Sequence, residues 1–286
     1  MFSSPGAVAV KIGPLAIRWY GLLIAAAVLI GTMLAQREAV RRQEDPDRLL
    51  DVVVFAVLAG LVGARLYYVA FNWGEYRLNL LKVLAVWEGG LAIHGGLIAG
   101  GLAILLYARA KALPILVYLD ILAPSVALGQ AIGRWGNFFN QEAFGTPTAL
   151  PWKLYIAPYH RPPDLAKFDY FHPTFLYESL WNLGVFALLY FALRRRLEDR
   201  PGALILCYFA LYSVGRYLVE GFRIDSLMLG PLRAAQVMSA ILFAASLLAL
   251  GVRLRRPPQT GAGGQGSGVG GQADREPGTG NRERRA

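Results

Sequence analysis

The chain is divided into long apolar runs by short stretches that carry charged residues. An α-helix needs about 20 residues to cross the hydrocarbon core of a bilayer, and these runs approach that length. They are apolar on all sides, whereas the helices around a soluble core are amphipathic. The pattern predicts an all-α polytopic membrane protein with about seven transmembrane helices, near residues 16–35, 49–71, 90–108, 113–133, 174–193, 202–219 and 233–252.

The composition agrees with a membrane protein. Of 286 residues, 55% are hydrophobic and 17% are charged, and the mean hydropathy is +0.40, whereas a soluble chain of this length needs more polar surface. The net charge of +10 would also suit a nucleic-acid-binding protein. In a membrane protein, contact with anionic lipid and the setting of orientation explain it more simply. We therefore expect membrane lipid as a partner and no nucleic acid.

Lysine and arginine are unevenly distributed among the connections between the runs. The first, third and fifth connections and the start of the C-terminal tail are the basic ones, through Arg37, Arg41, Arg42, Arg48, Arg109, Lys111, Arg194, Arg195, Arg196, Arg200, Arg253, Arg255 and Arg256. Basic residues close to the ends of spans remain in the cytoplasm. The distribution therefore predicts an N-terminus outside the cell and a C-terminus inside it.

Two segments of the chain do not have the composition of a transmembrane span. Residues 134–173 contain several prolines among aromatic residues and are too many for a simple loop, so we expect a small ordered head on the periplasmic or extracellular side. Residues 257–286 are rich in glycine and glutamine with a basic end, a composition that cannot bury a core. We expect residues 1–256 to form the membrane domain and residues 257–286 a disordered cytoplasmic tail.

Polar side chains inside the predicted spans cluster at one depth. Such residues are costly in a bilayer and mark function by default. With a rise of about 1.5 Å per residue, the outer ends of five spans carry Tyr20, Arg65, His94, Arg134, Arg216 and Glu220. Snorkelling would scatter such residues over both faces of the membrane. We interpret their shared level as one polar cavity that opens towards the outer leaflet.

Several of these residues also have a purely structural explanation. His94 is flanked by glycines, which allow close helix packing as well as the approach of a ligand. Arg216 and Glu220 are four residues apart and would pair with each other, although Arg223 adds a second cation nearby. Tyr20 would fit the aromatic belt of a membrane protein. The common depth, rather than any single residue, favours the cavity.

The most informative segment is residues 133–145, where the fourth predicted span leaves the membrane. It reads Gly-Arg-Trp-Gly-Asn-Phe-Phe-Asn-Gln-Glu-Ala-Phe-Gly and interleaves four polar side chains with aromatic ones, at Arg134, Asn137, Asn140 and Glu142. Guanidinium and amide donors at the lipid surface suit a phosphate headgroup. An interfacial helix end with aromatic anchors is the structural alternative, but it does not require these four polar residues.

This segment closely resembles the signature of prolipoprotein diacylglyceryl transferases, Gly-Arg-x-(Gly/Ala)-Asn-Phe-x-Asn-x-Glu-x-x-Gly, and it matches every fixed position. A pattern with this many fixed polar positions is specific. The resemblance covers residues 10–255 in order, including Arg18–Gly21, Gly63–Leu66, Ile93–Gly96, His172–Thr174, Leu176–Glu178 and Tyr212–Arg223. The residues after Pro257 match nothing in the family's pattern.

The resemblance implies a seven-helix enzyme of the bacterial inner or plasma membrane. Members of the family transfer the diacylglyceryl group of phosphatidylglycerol to the lipobox cysteine thiol of a preprolipoprotein. The product is a thioether, glycerol 1-phosphate is released, and the reaction is the first step of bacterial lipoprotein maturation. No metal or other cofactor is expected, because arginines can stabilise the charge on the phosphate.

The resemblance also suggests individual roles. His94 would act as general base on the thiol or position it, and Arg134 and Arg216 would bind the phosphate and stabilise its charge. The residues expected to contact the substrates are Tyr20, Arg65, Asn137, Asn140, Glu142, Gly145, Tyr212, Glu220 and Arg223. For His172, a structural hydrogen bond and a substrate contact are equally well supported. Which arginine meets the phosphate, and which residue activates the thiol, stay open at this point.

Other membrane proteins were weighed against this hypothesis. A polytopic transporter of anions would also hold arginines in the membrane, but it expects a site at the midplane and often inverted repeats, and we find no repeat. A phospholipid-processing enzyme that uses a cytidine nucleotide needs clustered aspartates on the cytoplasmic side, which Asp47, Asp51 and Asp120 do not form. A membrane protease would need a serine motif, which is lacking around Ser125 and Ser213.

Overall fold

The computed structural model describes residues 1–13, 15–86 and 89–257. Eight α-helices in this part are α1 (Trp19–Arg41), α2 (Pro46–Phe71), α3 (Trp73–Tyr76), α4 (Ile93–Ala110), α5 (Ile115–Asn140), α6 (Thr174–Ala187), α7 (Ala203–Glu220) and α8 (Ala234–Arg255). A π-helical stretch, Leu188–Leu193, extends α6. With this extension, all but the short α3 are long and apolar enough to cross a membrane, which confirms the predicted seven-helix fold. The predicted tail from residue 258 onward lies outside the described residues.

The helices extend beyond several of the predicted spans. The largest difference is at α5, which continues to Asn140 instead of ending near residue 133. Hydropathy marks the part of a helix that lies in hydrocarbon, and polar residues in the headgroup region can continue the same helix. The first polar residues of the 133–145 segment therefore lie on the last turns of α5. The helix ends at Gln141, which has a left-handed backbone with φ of 53°.

A β-hairpin precedes α1, and the sequence analysis missed it. Strands β2 (Val8–Ile12) and β3 (Leu15–Arg18) pair in antiparallel fashion, and Gly13 between them has a φ of +59°, a conformation that favours glycine. The first predicted span, which begins near residue 16, includes apolar residues of β3. A second hairpin, β6 (Met228–Leu229) and β7 (Leu232–Arg233), connects α7 to α8.

The helices pack in pairs through small residues. Helix α2 lies along α4, α1 along α5, and α7 along α8. A Cβ atom added to Gly63 of α2 would lie 2.6 Å from the carbonyl oxygen of Gly95 in α4, so the two backbones are in direct contact. Close backbone approach at glycine is a common way for membrane helices to associate. The glycine beside His94 therefore has a packing role.

The segment between α5 and α6 forms the small head that the sequence predicts. Strand β4 (Leu154–Tyr155) pairs with β5 (Tyr170–Phe171) and, on its other side, with the N-terminal β1 (Phe2–Ser3). An apolar core joins the head to the ends of α5 and α6, and its buried members are Phe138, Phe144, Leu154, Ile156, Phe171 and Phe175. The head is thus anchored on the last turn of α5 and the first turn of α6.

Asp120 is an ionisable residue inside the fourth predicted span, and the structure gives it a capping role. Its carboxylate is fully buried and accepts hydrogen bonds from the backbone N–H groups of Gly202 (2.7 Å) and Ile205 (2.8 Å). The first N–H groups of a helix have no partner within the helix, and a carboxylate there is also favoured by the helix dipole. Asp120 therefore caps α7 and fixes its position against α5.

Candidate active site

Charged side chains from three helices meet at one end of the bundle. Arg134 lies near the C-terminal end of α5, and Arg216 and Glu220 lie on the last turns of α7. Helix α6 runs in the opposite direction, and its first turns carry Glu178. The antiparallel arrangement of these helices brings the four residues to the same level.

Glu178 is the residue on which the arginines converge. One of its carboxylate oxygens, Oε2, pairs with Nη2 of Arg134. The other, Oε1, lies 3.2 Å from Nη1 of Arg216 and 3.6 Å from Nη1 of Arg223. Only 6% of the Glu178 side chain is exposed. A buried carboxylate is stable when cations surround it, so Glu178 fixes the three guanidinium groups close together.

Further carboxylates neutralise these cations to different degrees. Glu220 pairs with Arg216 at 2.6 Å, and Asp225 accepts two hydrogen bonds from Arg223 at 2.9 and 2.7 Å. Burial lowers the pKa of Arg223, but its acidic partners raise it further, so the net shift is upward. For Arg134, Glu178 is the one ion-pair partner in the described part of the chain. Arg134 is therefore the member of the cluster with the most donors left for a ligand.

A second polar group lies beside the arginines, at the end of α5. The side-chain amides of Asn137 and Asn140 both donate to Oε1 of Glu142, at 2.9 and 3.3 Å. The other side-chain atom of Asn140, Oδ1, is buried and has no hydrogen-bond partner among the described residues. A buried acceptor without a partner is costly. This carbonyl oxygen is therefore ready to accept a hydrogen bond from a ligand.

Tyr20 is held against the same end of α5. A Cβ atom added to Gly136 would lie 2.8 Å from a ring carbon of Tyr20, so the glycine makes room for the ring. Beside it, Trp19 stacks on Phe139 with ring centroids 4.8 Å apart. The structure thus brings Tyr20 to the end of α5 that carries Arg134 and Asn137.

Gly145 connects the site to the head through its backbone. Its N–H donates to the carbonyl of His172 at 3.0 Å, and its neighbour Thr146 donates to Phe222 at 2.8 Å. An added Cβ atom would lie 2.8 Å from the Cβ of His172 and 3.0 Å from the carbonyl oxygen of Phe222. Gly145 is therefore required for close packing, and it fixes the segment that carries Arg223.

Arg65, which is predicted to contact the substrate, makes its hydrogen bonds to backbone carbonyls. Its guanidinium donates to five backbone carbonyls in the connection between α2 and α4, namely those of Lys82, Val83, Ala85, Gly89 and Gly90. It also lies over the ring of Tyr76, 5.2 Å from the centroid. These bonds occupy all five of its N–H donors. Arg65 thus holds this connection in place and has no donor left for a substrate.

The structure does not join His94 to the arginine cluster. His94 is exposed in the first turn of α4, and its ring packs against Tyr67 of α2 with centroids 6.1 Å apart. Helix α4 packs mainly on α2 and only weakly on α5. No contact within the described residues links His94 to Arg134 or Glu178. A substrate that uses both groups would therefore have to lie between them.

Tyr212 and His172, the remaining predicted residues, each line a pocket beside α6 and α7. Tyr212 lines a small pocket together with Glu178, Trp181 and Arg216. Nδ1 of His172 lies 3.1 Å from the Tyr177 hydroxyl, and burial lowers the pKa of His172. His172 also lines an apolar cavity of about 580 Å³ between α6, α7 and the head. This geometry gives His172 a structural hydrogen bond and leaves it beside an apolar space.

The sequence analysis did not assign Glu178 or Asp225 to the site. Glu178 belongs to a segment that carries the resemblance, and a carboxylate on the second turn of a predicted span is itself costly. The depth argument that selected Arg134 and Arg216 applies to Glu178 as well and would have found it. Asp225 lies in the connection after α7, where a charged residue is ordinary, so sequence offered no signal for it.

Sequence comparisons identify the family. The family model described as "Prolipoprotein diacylglyceryl transferase" matches residues 7–252. The chain belongs to the prolipoprotein diacylglyceryl transferase family. Proteins named phosphatidylglycerol–prolipoprotein diacylglyceryl transferase from Trichormus variabilis and Thermosynechococcus vestitus are 58% and 54% identical to it over 243 residues. These matches cover 84% and 85% of this chain and 86% and 90% of the two relatives. The relative from Gloeobacter violaceus is 53% identical over 239 residues, which are 83% of this chain and 89% of the relative.

Membership of the prolipoprotein diacylglyceryl transferase family agrees with the fold and with the resemblance of the 133–145 segment. The matched region contains all seven membrane-spanning helices nearly to the end of α8. It also contains each member of the arginine cluster and the head. The names of these relatives describe a transferase, which disfavours the transporter alternative.

Proposed function

We propose that the protein transfers the diacylglyceryl group of phosphatidylglycerol to the lipobox cysteine of preprolipoproteins. The observation that carries this proposal is the convergence of Arg134 and Arg216 on Glu178, beside the amides of Asn137 and Asn140. Guanidinium and amide groups are suited to bind a phosphodiester and its glycerol hydroxyls. The names of the relatives supply the two substrates, phosphatidylglycerol and a prolipoprotein.

In the proposed reaction, the cysteine thiol loses its proton, since the thiolate is the nucleophile. The thiolate forms an S–C bond to the glyceryl carbon that carries the phosphate. The C–O bond to the phosphate breaks, and its electron pair remains on the oxygen of glycerol 1-phosphate. The phosphate changes from a diester with one negative charge to a monoester with more charge, so its stabilisation lowers the barrier.

Arg134 and Arg216 are the groups that would stabilise this charge. Donors that are already in place at the position where charge develops need no reorganisation during the reaction, and in a pocket of low dielectric their effect is larger than in water. Glu178 holds the two guanidiniums at a fixed separation. Arg134 would make the main contact, because fewer of its donors are used within the protein.

The polar residues at the end of α5 would bind the glycerol headgroup. The unpartnered Oδ1 of Asn140 can accept a hydrogen bond from a glycerol hydroxyl, and Glu142 fixes the amide so that this atom is presented. Tyr20 of α1 lies next to these polar residues and would contact the headgroup from that side. His94 would remove the thiol proton from a peptide bound between α4 and α5, since a ring nitrogen of a neutral histidine can accept a proton.

The proposed site faces the outer leaflet of the bacterial cell membrane. The basic connections predict that the end of the bundle with Glu178 is outside. Single cysteines in a Cys207→Ser background would test this orientation. On intact cells, an impermeant maleimide is expected to label Arg77→Cys, while Arg196→Cys is expected to react only after lysis. Labelling with the reverse pattern would contradict the orientation.

The activity is tested by incubating the purified full chain with phosphatidylglycerol and a peptide that carries a lipobox cysteine. Mass spectrometry is expected to show a gain of one diacylglyceryl unit on cysteine, with release of glycerol phosphate. A peptide with serine in place of cysteine is expected to remain unmodified. Modification of that serine would overturn the thiol chemistry, and failure to modify the cysteine would overturn the function.

The roles are tested separately with His94→Gln, Arg134→Ala and Arg216→Ala. Matched controls remove the same group elsewhere: His160→Gln and Arg77→Ala, both at exposed positions. We expect the first three to lose activity while the controls retain it. Full activity in the three folded variants would overturn the assignment of roles and leave the transferase activity intact.

A further inference from the structure

A second concave surface lies at the opposite end of the bundle from Glu178. It is a groove of about 470 Å³ between α5, α7 and α8. Its apolar walls come from the N-terminal parts of α5 and α7 and the C-terminal part of α8, through Leu116, Leu119, Ile205, Leu206, Phe209, Ala249 and Val252. Each of these elements is a membrane-spanning helix. The apolar walls of the groove therefore lie at the depth of lipid acyl chains.

Cations lie at one end of this groove. Arg253 and Arg256, at the C-terminal end of α8, line it together with the apolar residues. Nη1 of Arg200 donates to the carbonyls of Leu254 and Arg256, which brings a third guanidinium to the same end of α8. The described lining contains no carboxylate. Asp120, which lies nearby on α5, has its carboxylate bonded to the N-terminus of α7.

We propose that this groove binds an anionic phospholipid of the leaflet opposite the active site. One acyl chain would lie along the apolar walls, and the phosphate would pair with Arg253 and Arg256. Apolar walls alone would accept any lipid, whereas two arginines at the headgroup level select a negative charge. Guanidinium groups also match the geometry of phosphate oxygens. This site differs from the proposed active site in position and in the residues that form it.

The C-terminal tail is a poorer occupant of the groove. Residues 258–286 contain a single apolar side chain larger than alanine, Val269, and four arginines. A segment with this composition offers little to pack against Leu206 or Phe209. Its arginines outnumber its carboxylates, Asp274, Glu276 and Glu283, by one, so it has no net negative charge to offer Arg253 and Arg256. Charge and hydrophobicity both favour a lipid.

Photocrosslinking of the full chain in phosphatidylcholine nanodiscs tests the proposal. The probe is phosphatidylglycerol with a diazirine in the middle of one acyl chain, and the matched probe is phosphatidylcholine with the same chain. After illumination and digestion, mass spectrometry locates the adducts. We expect adducts on peptides that contain Phe209 and Ala249 to form several-fold more often with phosphatidylglycerol. Mapping by position separates them from adducts at the proposed active site.

Variants show whether the arginines of the groove are responsible. A basic residue near an anionic membrane surface contributes about 1 kcal/mol, so Arg253→Gln and Arg256→Gln are each expected to reduce labelling about fivefold. Arg255→Gln removes the same charge from the same helix end, but Arg255 does not line the groove, and we expect no comparable loss. Labelling of the wild-type groove is also expected to fall as ionic strength rises.

Two results would overturn the proposal. Equal labelling by the two probes would show that the groove holds ordinary bilayer lipid without selection for charge. An equal loss in Arg255→Gln and Arg253→Gln would show that the general charge of this surface, rather than the groove, attracts the probe. If a variant does not fold, the salt dependence and the two-probe comparison in the wild-type protein still decide the question.

Discussion

In the part of the chain that the structure describes, two arginine clusters lie at opposite ends of the helix bundle, and each is built around one buried glutamate. Glu178 holds Arg134, Arg216 and Arg223. At the other end, Glu38 of α1 is only 3% exposed and pairs with three arginines at 2.6, 3.0 and 2.5 Å, namely Arg41, Arg42 and Arg194. The two clusters use the same chemical groups, so charge and burial alone do not identify an active site.

The difference lies in what else surrounds the arginines. Around Glu38, Arg41 also pairs with Glu198 at 2.7 Å, and Arg194 lies over the ring of Tyr190 at 3.7 Å. These further contacts are internal, and the Arg41–Glu198 pair joins α1 to the segment that follows α6. Around Glu178, Arg134 keeps unused donors, and a buried oxygen of Asn140 lacks a partner. We infer that unused hydrogen-bonding groups distinguish an arginine cluster that binds a ligand from one that only connects helices.

Removal of one arginine from each cluster is expected to give the largest difference in kcat between the two clusters. Arg134→Ala is expected to lower kcat by about 10²–10³-fold, because it removes donors that act on the developing charge. Arg41→Ala removes the same group from the other cluster and is expected to leave kcat within about twofold in folded protein. Release of glycerol phosphate per folded molecule measures both. A comparable loss in the two variants would remove the distinction between the clusters.

The two glutamates should separate activity from stability. Loss of one partner from a buried ion pair costs about 3–5 kcal/mol, so Glu38→Gln and Glu178→Gln are both expected to lower the unfolding temperature. Only Glu178→Gln is expected to lower the activity of the folded fraction, by more than about tenfold, since three guanidinium groups lose their common ion-pair partner. Thermal unfolding and kinetics on the same samples test this. Full activity in folded Glu178→Gln would contradict its positioning role.

The unpartnered oxygen of Asn140 predicts a smaller effect, on substrate binding. A net hydrogen bond contributes about 0.5–1.5 kcal/mol, so Asn140→Ala is expected to raise KM for phosphatidylglycerol by up to about tenfold. Asn79→Ala is a suitable control, since Asn79 is exposed in the connection between α2 and α4. An unchanged KM in Asn140→Ala would show that the substrate does not use this oxygen.

The smallest expected effect is a dependence of stability on pH, which arises from His172 in the head. Burial lowers the pKa of His172 from 6.5, so the unfolded chain binds this proton more readily than the folded chain. Stability should therefore decrease as pH falls below 6.5 and level off below the lowered pKa. Unfolding temperatures at pH 7.5 and 5.5 measure the decrease. His172→Gln is expected to reduce this dependence, and His160→Gln, at an exposed position, is expected to retain it.

Much of this architecture could be predicted from sequence, because hydropathy and helical rise determine where a residue lies along the membrane normal. The spans were found in this way, and so was the common level of Arg134, Arg216 and Glu220. Hydropathy and helical rise do not show how a helix is rotated about its axis or which helices it packs against. Arg65 lies near the predicted level, yet its guanidinium is turned towards backbone carbonyls.

The contacts of His94 could not be predicted from the sequence, for the same reason. Its depth suggested that it joins the arginines, but α4 packs on α2 rather than closely on α5. The hairpin of β2 and β3 was missed because its apolar residues merge with the first span. By contrast, residues 133–145 could be interpreted well, since their chemistry is local and α5 presents Arg134, Asn137 and Asn140 at one helix end.

The contact between Gly63 and Gly95 limits how His94 can move. Because the backbones of α2 and α4 touch there, neither helix can slide or turn without disturbing the other. Any approach of the imidazole to Arg134 beyond a change of rotamer would therefore displace both helices together, along with the connection that Arg65 holds.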